Sequence, residues 1–259
     1  SAIGARFPNP RISAEFGDDS MAQTADNVAA EYGISREEAD AYAARSQGRY
    51  ARALAEGFFA DELTPVELPA ARKAAPVVVS ADEHPRPETT LDSLGRLKAL
   101  NPSGVTTAGN ASGINDGAAV LVVGSRALGE RLGIKPLARI LSGAAAGVPP
   151  RVMGIGPALA IPKALERAGL RLDQMDVIEI NEAFAAQVLG CLKLMGLPFD
   201  DARVNPNGGA IAVGHPLGAS GARLALTAAR ALAAGHGRYA AVSLCIGVGQ
   251  GLAVILERV

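Results

Sequence analysis

The 259-residue sequence has no tryptophan, and only four tyrosines and six phenylalanines. So few rings argue against an aromatic recognition surface. Charge of one sign is missing too, since 25 Lys and Arg stand against 26 Asp and Glu. A net charge of −1 draws the whole chain neither to nucleic acid nor to an anionic membrane. The two cysteines, Cys191 and Cys245, lie far apart and have the spacing of neither a metal cluster nor a disulfide framework. No metal site is therefore expected, and a reducing compartment is. No apolar run reaches the roughly 18 residues that a membrane span needs, and the first residues do not read as a secretory signal, so a soluble cytoplasmic protein is expected. Gly214, Gly218 and Gly221 do not fit G-x-G-x-x-G, and no G-x-x-x-x-G-K-[ST] occurs, which argues against nicotinamide and nucleoside-triphosphate enzymes.

Small and apolar residues are plentiful instead. Hydrophobic residues make up 49% of the chain, with 30 glycines, enough for one large or two modest domains with close helix-on-sheet packing. Five glycines gather in Asn205–Gly221, NPNGGAIAVGHPLGASG, where His215 lies between Gly214 and Pro216. A loop this bare brings backbone close to a ligand, and the proline stiffens the turn that carries the imidazole. From Gly218, Leu224, Ala228 and Leu232 recur at i, i+4 and i+8, while Arg223, Thr227 and Arg230 mark a polar face. The histidine is thus expected just ahead of a helix N-terminus, where a developing negative charge is favoured.

Along the chain, residues 1–20 read as irregular, broken by Pro8 and Pro10. Helices are expected from about Thr24 to Gly33 and from Ser35 towards Gly57, the second opened by the capping box Ser35-Arg36-Glu37-Glu38. Extended chain over 63–79, a turn-rich loop over 82–87 and a short helix over 92–100 complete a lid-like α+β segment. Thr106–Gly117 is rich in donors and acceptors and on composition resembles a linker. The apolar run Ala118–Val123 argues against that, because it reads as a strand buried on both faces, with a helix over 125–133 behind it. Beyond Pro136 come a strand (137–143), helix (157–169), strand (176–181), helix (182–196), short strand (202–204), helix (218–235) and strands 239–246 and 252–257. Such alternation implies a mainly parallel sheet with helices on both faces, closed by a hairpin at Gly247–Gly251.

In these sheets, polar residues at the C-terminal strand ends face the ligand crevice. Asn181, His215 and Cys245 hold such positions. A thiol has an ordinary pKa of about 8.5, so Cys245 serves as a base near neutrality only where its surroundings favour the thiolate. An enolate needs oxyanion donors, for which Asn181, His215 and the Gly247 amide are suitable. Plainer readings also stand: Asn181 as the cap of a helix starting at Glu182, Cys245 as a small strand residue, Cys191 as core, and His84 and His236 as surface residues.

Taken together, NEAFAAQ (Asn181–Gln187), NPNGGAIAVGHPLGASGAR (Asn205–Arg223) and CIGVGQG (Cys245–Gly251) resemble the thiolases, acyl-CoA:acetyl-CoA C-acyltransferases. TAGNASGINDGAA (Thr107–Ala119), MGIGP (Met153–Pro157) and MAQTADNVA (Met21–Ala29) extend the resemblance over essentially the whole chain. It implies an α/β fold, βαβαβαββ, with a mixed five-stranded sheet and helices on both faces, plus an α+β loop domain. Residues 1–114 would be the CoA-binding loop domain and 115–136 the returning strand and helix of an otherwise missing N-terminal half. Residues 137–259 would be the C-terminal half.

The resemblance also implies roles. His215 would activate a nucleophilic cysteine, and Cys245 would be the acid/base thiol. Asn181 and Gly247 would belong to two oxyanion holes. Met21 would lie beside the acyl pocket, Ser112 and Ala108 along the pantetheine, and Arg86 and Ser93 near the adenosine. The nucleophilic cysteine belongs to the missing half, and neither cysteine of this chain matches it. Coenzyme A and acetyl-CoA are implied as substrates, with no permanent cofactor and a homodimer or homotetramer as the complete form. The missing half would join in cis or in trans. Ser20, where many biosynthetic thiolases have histidine, and DEHPR at 82–86 look more like the degradative or β-ketoadipyl-CoA branch. A CoA-binding fragment without chemistry, or one subunit of a split thiolase, is the alternative.

Overall fold

The computed structural model describes residues 9–69 and 77–259. Its first element corrects the irregular reading of residues 1–20. Helix α1 spans Pro10–Phe16, with the Asn9 side chain accepting from the Arg11 amide. At the first helical position a proline forfeits no hydrogen bond, so Pro10 starts a helix instead of breaking one. Pro8 lies outside the described residues.

Helix α2, Met21–Tyr32, is capped by Ser20 and ended by Gly33 in the left-handed region. Helix α3, Arg36–Ala55, carries the capping box expected of Ser35 and Glu38. Strands β1, Val66–Leu68, and β2, Val77–Val79, pair as an exposed antiparallel ribbon within the stretch read as extended. Residues 70–76 of that stretch lie outside the described residues. Helix α4 covers only Leu91–Gly95, shorter than expected, because an Ala99–Thr107 bridge holds the chain beyond it.

The apolar run at 118–123 corrects the sequence reading. It forms no strand and is bare to solvent, with Val120 82% and Val122 94% exposed. A strand needs a neighbour to take its N–H and C=O groups, and none of the described residues pairs with this run. Helix α5, Arg126–Leu132, follows with no buried residue.

The remaining elements are β3 (Ala138–Gly147), α6 (Gly156–Ala168), β4 (Val177–Ile180), α7 (Ala185–Met195), α8 (Ala210–Val213), α9 (Ser220–Ala233), β5 (Tyr239–Ile246) and β6 (Gln250–Arg258). The four strands are ordered β3-β6-β5-β4. Only β4 and β5 are parallel, while β6 runs antiparallel to both β5 and β3. This is the mixed sheet that the resemblance implies and not the mainly parallel one that alternation suggests, and among the described residues it has four strands where five were expected: a hairpin folds β6 back between β5 and β3. The strand expected at 202–204 contributes a single parallel bridge, Val204 to Ile178, on the outer side of β4.

Helices cover both faces. On one, Ile178 and Ile180 pack with Leu189 and Leu192 of α7. On the other, Val177 packs with Leu224, Ala228 and Leu232, the stripe read for α9. Each large apolar side chain so buried contributes about 1.5–3 kcal/mol. The N-terminus of α6 meets β6 backbone to backbone: a Cβ on Gly156 would strike Gln250, and one on Gly251 would strike Gly156. Glycine at both positions lets a helix start beside the β5–β6 turn.

Candidate active site at the ends of β4 and β5

Because β4 and β5 are parallel, their C-terminal ends open on one edge of the sheet. Asn181 follows β4 directly and donates its amide to Ser243 O at 2.9 Å. It does not cap a helix, since α7 starts only at Ala185 with no side-chain cap. Its Nδ2 instead stands 3.3 Å from Nε2 of His215.

The imidazole is held at both nitrogens. Its Nδ1 is 2.6 Å from Oγ of Ser220, the first residue of α9, and that hydroxyl donates to Pro216 O at 2.9 Å. With its proton committed, Ser220 Oγ accepts, so Nδ1 carries the hydrogen and Nε2 keeps the lone pair. The backbone is fixed as well, for the His215 amide donates to Gly113 O at 3.0 Å. Burial, and after it the charge of Arg223, lower the pKa of the ring. A neutral imidazole with a directed lone pair is the form a general base requires. Beside it, Asn181 Oδ1 is buried without a partner, an acceptor of the kind that holds a bound water.

Cys245 lies at the end of β5, paired with Gly251 and 8% exposed. Burial pushes its thiol up to about 12, which leaves it protonated at neutral pH and poised as an acid. Gly247 opens the turn to β6, and its amide makes no backbone hydrogen bond among the described residues. Val248 next to it has φ 68, a costly conformation for a β-branched residue. Cys191 is fully buried, its thiol 3.3 Å from Gly154 O and pushed up to about 12 by burial, as a core residue.

Several supporting residues escaped the sequence reading. The buried Glu182 carboxylate accepts from Tyr42 Oη at 2.9 Å, Ser46 Oγ at 2.6 Å, Asn205 Nδ2 at 2.9 Å and the Ile211 amide at 3.1 Å. It thereby ties α3 to the loop that delivers His215. A Cβ on Gly209 would strike this carboxylate, which explains one glycine of the NPNGGA run. His84 is no free surface residue: half-buried, its Nδ1 lies 2.9 Å from Ala212 O. His236 is exposed, as expected. Of the polar face of α9, Thr227 is buried and Arg223 and Arg230 are half-buried. They pack against Glu179, Glu62 and Asp61.

Arg86, Ser93 and Ala108 line one cleft of about 410 Å³, together with His84 and Ile211. The Arg86 guanidinium is held only by the carbonyls of Glu83, His84 and Pro85, so its charge has no carboxylate partner among the described residues. Ser93 is engaged in the capping box of α4 with Thr90. Ser112 lies near the same edge of the sheet as Asn181, its backbone amide donating to Ala183 O at 3.0 Å. Met21 opens α2, is 42% exposed, and does not line the cleft. No group of three or more potential metal ligands and no helix long and apolar enough to cross a membrane occurs among the described residues.

Comparison with known proteins places the chain in a family. Residues 9–127 match the family described as thiolase, N-terminal domain, and residues 134–258 match thiolase, C-terminal domain. The chain is 55% identical to the beta-ketoadipyl-CoA thiolase of Acinetobacter baylyi, over 100% of its own length and 65% of that protein. It is 56% identical to the 3-oxoadipyl-CoA/3-oxo-5,6-dehydrosuberyl-CoA thiolase of Escherichia coli, with the same coverage. The chain thus spans about 65% of the length of these curated relatives. Among solved structures, the acetyl-CoA acetyltransferase of Bacillus anthracis superposes with a TM-score of 0.89 at 40% identity, covering 99% of this chain and 66% of that one. Human mitochondrial 3-ketoacyl-CoA thiolase in complex with CoA gives 0.84 at 41%, covering 93% and 60%.

Proposed function

From the premise that this chain belongs to the thiolase family and has its α/β fold, we propose that it supplies the acid–base side of a thiolase site. In cleavage by the complete protein, a thiol on a segment outside these 259 residues attacks the keto carbon of a 3-ketoacyl-CoA; the bond to the α-carbon breaks, the acetyl-CoA enolate leaves, and the acyl group stays as an enzyme thioester until the thiol of CoA takes it, condensation being the reverse. His215, with its lone pair on Nε2, takes the proton of that thiol. Cys245 returns a proton to the acetyl-CoA enolate in cleavage and removes it in condensation. Water held by Asn181 and the Gly247 amide stabilise the oxyanions, each well-placed donor contributing about 3–4 kcal/mol. Residues 1–114 serve as the CoA-binding loop domain, 115–136 return to the N-terminal half, and 137–259 form the C-terminal half. The uncompensated charge of Arg86 in its cleft suits the anionic adenosine end of CoA. Ser93 lies at the same end, Ala108 and Ser112 follow the pantetheine, and Met21 stands beside the acyl pocket.

The observation that carries this reading is the doubly held imidazole, its Nε2 lone pair opening beside Asn181. The identities to β-ketoadipyl-CoA thiolases favour a 3-oxoadipyl-type substrate. The complete polypeptide is expected to cleave a 3-ketoacyl-CoA in the presence of CoA, by ping-pong kinetics. Cys245→Ala is expected to lose Claisen exchange, and normal exchange by that variant contradicts the role. A second statement follows from the Arg86 cleft and from the burial of both cysteines: the 259-residue chain alone binds CoA without turning it over. Calorimetry that detects no CoA binding by the folded chain contradicts it.

A further inference from the structure

The stretch that begins at Asn110 runs between the two segments whose side chains meet at the imidazole. At its start the Ala185 amide donates to Asn110 O at 2.8 Å, Ala111 bridges antiparallel to Phe184, and the Ser112 amide donates to Ala183 O at 3.0 Å. These partners directly follow Asn181 and Glu182 in the chain. One residue further on, Gly113 O accepts the His215 amide at 3.0 Å. Beyond it the Asn115 side chain lies so close to Gly214 that a Cβ there would strike it, and a Cβ on Gly117 would strike Pro216. Residues 110–113 are thus hydrogen-bonded to the Asn181 side of the site and to the His215 side, and 113–117 wrap the turn that carries the ring.

Asn110 is 1% exposed and engages both ends of its side chain. Its Nδ2 donates to Asp40 Oδ1 at 2.8 Å and to Val105 O at 3.0 Å, while its Oδ1 accepts the Thr107 amide at 2.8 Å. Asp40 of α3 is buried too, and Arg36 Nε holds its other oxygen at 2.7 Å. A primary amide suits this place because it donates to a carboxylate and accepts from an N–H at once. The Asn181–His215 contact is weaker: a single approach of 3.3 Å, longer than an ordinary hydrogen bond, which does not fix its own spacing.

We propose that Asn110 is a positioning residue for Asn181 and His215, and that residues 110–113 are the splint through which it acts. Glu182 braces the His215 loop further back, through the Ile211 amide at 3.1 Å, whereas the contact at His215 itself comes from Gly113. Removing the Asn110 side chain leaves the Thr107 amide and one Asp40 oxygen buried without a partner. The turn at 107–110 then loses its anchor on α3, and the bonds from the Ala185, Ser112 and His215 amides loosen as one network. Proton transfer at Nε2 is sensitive to such loosening, since a displacement of about 1 Å can cost about a hundredfold in rate.

The meaning of the splint for catalysis rests on His215 as the base proposed above, whereas amide hydrogen exchange, followed by NMR in the 259-residue protein, reads the splint directly. In Asn110→Ala the amides of Ala185, Ser112 and His215 are expected to exchange at least about tenfold faster than in the parent. That of Asn181, bonded to Ser243 O within the sheet, is expected to stay within about threefold. A general loss of stability would speed all four together. Asn110→Asp sets a second carboxylate against Asp40 and is expected to loosen the same three amides. Adding Asp40→Asn returns a donor to the pair and is expected to bring them back within about threefold of the parent. Should Asn110→Ala fail to fold, this swap decides, and in the parent itself the three amides are expected to exchange within about tenfold of one another, as one unit. In the complete polypeptide, Asn110→Ala is expected to lower kcat at least about tenfold. Parent-like rates at the three amides, equal acceleration at Asn181, scattered rates in the parent or a swap that stays loose overturns the proposal. So does full kcat in a variant whose amides have loosened. A complete parent that turns nothing over counts against His215 as the base, and the amide rates then decide on the splint alone.

Discussion

Two short apolar runs, Val177–Ile180 and Ala118–Val123, have opposite fates in this molecule. The first contains a glutamate and is buried at every residue, laddered to β5 and covered by α7 and α9. The second is purely apolar, forms no strand, and exposes Val122 at 94%. By pattern alone the second is the better buried strand. The difference lies in company: hydrophobicity makes a run eligible for burial, and only neighbours with free backbone groups and apolar faces complete it. The same contrast separates the packed sheet edge that carries Asn181 and Cys245 from the exposed run at 118–123.

The largest test of that contrast is a pair of truncations. Ile178→Ala should cost about 2–5 kcal/mol in urea unfolding, whereas Val122→Ala should change stability by no more than about 0.5 kcal/mol. Similar costs at both sites would break the comparison. Glu182→Gln comes next, because an amide in place of the carboxylate turns an NH2 towards donors that need an acceptor. A loss of about 1–3 kcal/mol by thermal unfolding is expected, and full stability would mean that the four contacts contribute nothing.

A pH series sharpens the burial of β4 in another way. Glu179 has its pKa raised from 4.5 to about 8 by burial, so the folded chain holds a proton that the unfolded chain releases. The stability from this group is full below about 4.5 and is lost as pH rises through about 8. Subtracting the Tm profile of Glu179→Gln from that of the parent should therefore give a difference that falls between pH 5 and 8. A flat difference contradicts a raised pKa. The smallest effect on stability belongs to Val122→Asp, expected within about 0.5 kcal/mol. The exposed apolar strip should make the 259-residue chain self-associate in sedimentation, and Val122→Asp, which interrupts the strip, should reduce that association.

Much of the site could be read from the sequence because its residues fall where chain geometry is simple. Asn181 ends a strand, His215 sits in a bare loop, and Cys245 precedes a glycine turn. The α3 capping box and the α9 stripe are equally local. What stayed hidden depends on distant partners. Ser220 looks like any first-turn serine until its hydroxyl proton goes to Pro216 O, and Glu182 looks like a surface acid until α3 supplies Tyr42 and Ser46. The polar face of α9 was legible, but its partners at residues 61–62 were not, since they come from elsewhere in the chain. Insertion of β6 between β3 and β5 is a pairing choice that alternation of elements does not specify.

The most direct test of the account is the rate of CoA-dependent cleavage of a 3-ketoacyl-CoA by the complete polypeptide, compared with its Cys245→Ala variant and with the 259-residue chain. The account predicts turnover only in the complete parent, with the variant and the shorter chain both silent. Turnover by the shorter chain alone, or undiminished turnover without the Cys245 thiol, would contradict it.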